Sequence, residues 1–194
     1  ERLLYLEVSA FLSCNSLREI TIPTSVQYID DDAFLECKSL ERVLFAPTSS
    51  IVELGTSMFC HCTNLRSVIL PQNLLSIPAN IFCNCTSLTR LQIPASVELI
   101  EEDAFAASGI SSIKVWEGDD FIPGTILLPP KLRSISKNCF AFCEAVMNIR
   151  IPASIDEIEE HAFRGSGLRS LEIPEHVNRI SLGACADCAF LERV

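Results

Sequence analysis

Apolar and polar positions follow one template that the chain copies repeatedly. Its clearest copy is Leu17–Ser39, LREITIPTSVQYIDDDAFLECKS, and the next begins at Leu40. Leu17, Ile20 and Ile22 fit an extended segment, with Ile20 and Ile22 on one face because strand side chains alternate. Pro23 has no N–H, so it ends the hydrogen-bonded ladder and holds Ile22 extended. Val26 and Ile29 turn apolar groups back inward. Asp30–Phe34 reads as a tight helical turn, its acidic residues near the positive N-terminal end.

The aromatic of that turn marks the period. It recurs as Phe11, Phe34, Phe59, Phe82, Phe105, Phe140 and Phe163, at gaps of 23, 25, 23, 23, 35 and 23 residues. A degenerate copy follows with Cys185 in its place. The strand-end proline keeps step at Pro23, Pro71, Pro94, Pro129, Pro152 and Pro174. One copy has too few apolar residues to bury them alone, so identical coils must stack around a continuous core. The expectation is an α/β repeat solenoid forming a single domain over residues 1–194. It has about eight coils, the terminal ones incomplete, and a parallel sheet on one wall. Turns and short helical turns lie opposite, and the crossovers are right-handed.

The L-x-x-I-x-I strand at this period resembles a leucine-rich repeat. The I-P-x-S-V-x-x-I…A-F-x-x-C signature is similar to the BspA-like class, found in surface proteins of anaerobic bacteria and parasitic protists. The resemblance implies a right-handed leucine-rich-repeat superhelix, a cell-surface or secreted location, and adhesion to host or matrix proteins. Most leucine-rich repeats carry an asparagine ladder after the strand. Here that region holds Ser25, Asn73, Ser96, Lys131, Ser154 and His176, so the loop bonding must differ.

Composition narrows the classes. Nearly half the residues are apolar, which suits a packed core. No apolar run approaches the ~20 residues of a membrane span, and Glu1–Leu12 shows no signal-peptide pattern. The chain starts and ends inside a coil without polar caps, which reads as a piece of a longer protein. A net charge of −10 argues against nucleic acid as the partner. The charge is uneven. Asp30–Asp32, Glu101–Asp103 and Asp156–Glu160 make acidic clusters, while eight of the fifteen basic residues, Arg18, Arg42, Arg66, Arg90, Lys114, Arg150, Arg169 and Arg193, favour the strand wall. That pattern fits either a solvated, balanced surface or a mildly basic concave strip for an acidic protein or anionic glycan.

Cys14, Cys37, Cys62, Cys85, Cys143 and Cys188 share one repeat position, three after the marker. Two shorter copies, FAASGI at Phe105–Ile110 and FRGSGL at Phe163–Leu168, put Ser there. The site is therefore small and turn-lining, where a free thiol acts as a compact apolar group. Cys60-His61-Cys62 and Cys83-Asn84-Cys85 hold two extra cysteines, Cys60 and Cys83, at matching places on adjacent coils. A disulfide, a zinc site and two free thiols all remain open for that pair.

The 35-residue gap holds an insertion around 116–126, with the single Trp116 and with Phe121 among carboxylates. These aromatics either cover irregular stacking or anchor a partner. The three histidines sit in turns of different coils without a nucleophile at triad spacing, and no glycine-rich phosphate loop is present. No enzyme activity, cofactor or metal is expected. Two alternating rows should be exposed on the strand wall. One is Thr21, Leu44, Ile69, Gln92, Lys114, Arg150 and Glu172; the other is Glu19, Arg42, Ser67, Arg90, Ser112, Asn148 and Ser170. Leu44 and Ile69 are apolar where the repeat needs nothing apolar. With Arg42, Arg66, Arg90, Gln92, Lys114, Trp116 and Arg150 they form the candidate surface for a protein or glycan partner. The other reading is a spacer array that presents another domain of a longer protein.

Overall fold

The computed structural model describes residues 2–115 and 120–194. In chain order the strands are β1 (Tyr5–Leu6), β2 (Glu19–Ile22), β3 (Tyr28–Ile29), β4 (Arg42–Phe45), β5 (Ser67–Ile69), β6 (Ser76–Ile77) and β7 (Arg90–Ile93). They continue as β8 (Leu99–Ile100), β9 (Ser112–Val115), β10 (Thr125–Leu127), β11 (Ser134–Ile135), β12 (Asn148–Arg150), β13 (Glu157–Ile158) and β14 (Arg179–Ile180). Every pairing is parallel. The result is a parallel-strand solenoid of about seven turns, slightly fewer than the eight expected because the end copies are partial.

The register matches the repeat. Ile20, Ile22, Val43 and Phe45 align across β2 and β4, and Thr21, Leu44 and Ile69 align on the opposite face of β2, β4 and β5. Val43, Val68, Leu91 and Ile113 fill the inner face. The marker phenylalanines stack in one column, with ring centroids 5.2–5.9 Å apart from Phe11 to Phe163. Phe34 to Phe163 in this column are fully buried.

The helical turns expected before each marker are not formed; no helix occurs among the described residues. The backbone shows why. Residues two before and two after each marker have positive φ: Asp32 and Glu36 around Phe34, Ser57 and His61 around Phe59, Asn80 and Asn84 around Phe82. A left-handed residue at every fourth position breaks the right-handed ladder of an α-helix. The amides instead alternate. Asp32, Phe34 and Glu36 donate to Thr56, Met58 and Cys60 of the next coil, while Leu35 and Cys37 close local turns onto Asp32 and Phe34. The wall opposite the sheet is therefore a second inter-coil ladder. Its acidic residues cap amides of neighbouring coils rather than a helix dipole: Thr56 N–H donates to Asp31 Oδ1 at 2.7 Å and Ala79 N–H to Glu101 Oε2 at 3.1 Å.

The ladder cysteines have a role beyond filling space. Five of the six thiols donate to the carbonyl of the preceding coil's marker: Cys37 to Phe11 (3.0 Å), Cys62 to Phe34 (3.2 Å), Cys85 to Phe59 (3.1 Å), Cys143 to Phe105 (3.0 Å) and Cys188 to Phe163 (3.0 Å). Serine is the natural substitute because it too is a small donor. The shorter Ser-Gly copies draw the backbone inward. Gly109 N–H bonds Cys85 O at 3.1 Å, and a Cβ on Gly109 would overlap the carbonyl oxygen of Thr86.

The insertion adds a strand rather than only a loop. β10 lies between β9 and β12, while Phe105 and Phe140 stack directly on each other at 5.4 Å. The sheet wall thus gains one strand that the phenylalanine column lacks. The ladder is also interrupted: β2-β4-β5 and β7-β9-β10-β12 are separate sheets, and β5 and β7 are adjacent but unpaired.

Candidate functional site

The outward row of the strand wall begins Thr21, Leu44, Ile69 and, across the unpaired seam, resumes at Gln92, Lys114, Leu127 and Arg150. Leu127 belongs to the inserted strand and was absent from the sequence-based row. Ile69 keeps 47% of its surface exposed and Leu44 is half-buried, as outward apolar residues should be.

Two depressions meet at Ile69 and Leu70. One, of about 470 Å³, is lined by Thr21, Leu44, Ala46, Pro47, Ile69 and Pro71. Its walls are mostly apolar, with Thr21 and Gln72 as the polar exceptions, and the prolines Pro47 and Pro71 frame it where the ladder stops. The other, of about 290 Å³, lies over the β5/β7 seam and is lined by Arg66, Ile69, Arg90, Gln92 and Phe121.

Phe121 reaches the sheet through an anchored insertion. Ser112 Oγ donates to Ile122 O at 3.0 Å and accepts from Gly124 N–H at 3.2 Å. This overturns the placement of Ser112 on the exposed face: the returning chain covers it, and it is 1% exposed. The Phe121 ring then lies under two cations, Lys114 Nζ at 5.1 Å and the Arg90 guanidinium at 5.8 Å from its centroid. Sequence reasoning noted Phe121 but did not place it on the sheet; no periodic signal relates an insertion to the strand it folds over.

The other candidates divide. Arg42 faces Glu19 at 3.6 Å, so its charge is partly answered within the row. Arg150 lies beyond Leu127, outside both depressions. Trp116 lies outside the described residues. Among the described residues no carboxylate stands within ion-pair distance of Arg66, Arg90 or Lys114.

The cysteine motifs separate rather than converge. Cys62 and Cys85 face the core, where burial pushes both thiols up, Cys62 to about 12. Cys60 and Cys83 face each other, and all ten cysteines are free. Among the described residues no group of three or more histidine, cysteine or carboxylate side chains is placed to hold a metal ion. No helix among them is long and apolar enough to cross a membrane.

The model of the BspA type leucine rich repeat region matches residues 5–127 and 123–194, in six copies. No curated protein matches the chain. Among solved structures, a leucine rich cell surface protein from Faecalibacterium prausnitzii is 26% identical with a TM-score of 0.58, covering 98% of this chain and 42% of that one. A leucine-rich repeat protein from Bacteroides ovatus is 23% identical with a TM-score of 0.72, covering 98% and 58%. The leucine rich repeat protein of T. pallidum is 20% identical with a TM-score of 0.68, covering 98% and 72%. The chain thus spans about half the length of the first two. With the repeat match running over nearly every coil, the chain belongs to the BspA-type leucine-rich repeat family.

Proposed function

We propose that this solenoid is a noncatalytic module of a cell-surface or secreted protein, and that it holds a protein partner on its strand face. Leucine-rich repeats are typically binding modules, and one solved relative is described as a cell surface protein. The observation that carries the reading is the pair of depressions joined at Ile69. One is apolar; the other is edged by Arg66, Arg90 and Phe121. An apolar pocket beside cations with no carboxylate within ion-pair distance among the described residues is the composition of an interface hot spot. The lining of Leu44, Pro47 and Pro71 suits a buried side chain better than a sugar ring, and the basic rim suits flanking carboxylates. The partner is thus an exposed segment with an apolar residue next to Asp or Glu.

Selection from a displayed random-peptide library on the immobilised protein tests this, with a glycan array in parallel. Enrichment of apolar residues flanked by carboxylates is expected. Leu44→Ser with Ile69→Ser should leave the melting temperature nearly unchanged and weaken the selected peptides by ~2 kcal/mol, roughly 30-fold. Arg66→Glu should slow association, most at low salt. Selected peptides that bind the double variant as tightly as the parent, but lose binding to Trp116→Ala, move the site to the insertion. Glycan binding alone rejects the protein partner, and no enrichment at all favours a spacer role.

A further inference from the structure

Cys60 and Cys83 lie outside the ladder position; of the other two that do, Cys139 fills the buried site just before its marker and Cys185 takes the marker's own place. Cys60 and Cys83 occupy matching positions one residue after Phe59 and Phe82, whose rings stack at 5.8 Å. The backbone holds them side by side: His61 N–H donates to Cys83 O at 2.9 Å and Phe59 N–H to Ile81 O at 3.1 Å. Parallel strand-like neighbours lie about 4.8 Å apart, inside the roughly 4.4–6.8 Å between α-carbons that a disulfide accepts. The two thiols already share a hydrogen bond, Cys60 donating to Cys83. The Asn84 amide adds a second donor to the Cys83 sulfur at 3.2 Å. Cys83 is half-buried and Cys60 nearly covered, so an outside reagent meets Cys83 first.

The pair also sits at a telling place. Each cysteine lies seven residues before the first residue of its strand, Cys60 before β5 and Cys83 before β7. These are the two adjacent strands that do not pair. The turn wall and the β6–β8 pairing bond the neighbouring coils through the backbone, and the pocket beside Phe121 lies over the unpaired strands.

We infer that Cys60 and Cys83 form a redox-modifiable dithiol that closes to a disulfide by exchange with a small-molecule disulfide, cross-linking two adjacent coils just before the unpaired strands β5 and β7. The Cys83 thiolate attacks the small disulfide, forming a mixed disulfide and releasing one small thiolate. The Cys60 sulfur, losing its proton to that thiolate, then attacks the Cys83 sulfur and releases the second small thiol. Two protein thiols are oxidised and one small disulfide is reduced to two thiols. The hydrogen bond from Cys60 holds the Cys83 thiol below its ordinary value of 9.0, which raises the fraction of the attacking form at neutral pH. The ladder thiols Cys62, Cys85 and Cys143 are buried and pushed upward by that burial, so they do not compete.

Native protein is treated with oxidised glutathione, alkylated after unfolding, and mapped by mass spectrometry. Ten free thiols should fall to eight, the missing two joined in one peptide pair carrying Cys60 and Cys83. Cys60→Ser should instead keep glutathione on Cys83, because the resolving sulfur is gone. Three outcomes overturn the proposal in the wild-type protein, which needs no variant to fold: a lasting glutathione adduct at Cys83, both thiols alkylated as fully as in untreated protein, or a different cysteine pair linked.

Discussion

Removing one ring from the phenylalanine column tests the stacking that holds the coils together. Phe82 is fully buried, and its ring meets Phe59 at 5.8 Å on one face and Phe105 at 5.7 Å on the other. Phe→Ala in a core costs about 3–5 kcal/mol, and each aromatic pair adds about 0.5–1.5 kcal/mol beyond its area. A ring stacked on both faces belongs near the upper end, so Phe82→Ala should cost about 4–5 kcal/mol. With a urea slope of about 2–3 kcal/mol/M for a chain of this size, the midpoint should fall by roughly 1.5–2.5 M. Phe11 supplies the internal comparison. It is only partly buried and stacks on Phe34 alone, at 5.2 Å. Phe11→Ala should cost about half as much, and Thr21→Ala on the sheet surface at most ~0.5 kcal/mol. Urea melts followed by circular dichroism give all three. Equal losses for Phe11→Ala and Phe82→Ala, or a Phe82→Ala loss no larger than that of Thr21→Ala, would refute the continuous column as the source of stability.

Two further outcomes follow from local geometry. Cys62 titrates near 12 in the folded chain against 9.0 ordinarily, so above pH 9 the unfolded chain loses its proton first and stability falls as pH rises toward 12. The urea midpoint should drop as pH rises from about 9 toward 12, less steeply in Cys62→Ser, and a Cys62→Ser profile parallel to the parent's would contradict the assignment. Gly109→Ala forces a Cβ onto the Thr86 carbonyl oxygen and should cost about 1–3 kcal/mol by thermal melting, whereas an unchanged melting temperature would mean that the short Ser-Gly copy is not drawn against its neighbour.

The period, the inward residues and the family were legible because a solenoid core is one-dimensional. Every coil faces the same neighbours, so Ile22, Val26, Ile29 and Phe34 obey the same local rule in each copy and the rule shows in the order of residues. The outward row containing Thr21, Leu44 and Ile69 followed from alternation alone. The turn before each marker did not: Asp-Asp-Asp-Ala-Phe satisfies a helical turn on propensity. The alternating left-handed residues win because they aim every second amide at the next coil, a gain invisible within one copy. The thiol bonds of Cys62 and Cys85 were likewise hidden, since their acceptors belong to another coil. The insertion escaped most fully. Pro129 marks the end of its strand in the sequence, but the burial of Ser112 and the Phe121 ring under Lys114 and Arg90 depend on where a nonrepeating segment returns, and only the folded chain decides that. The open seam between β5 and β7, which brings Arg66, Arg90 and Phe121 around one depression, is a fact of tertiary structure for the same reason: pairing depends on two strands meeting, and each strand's sequence specifies only its own faces.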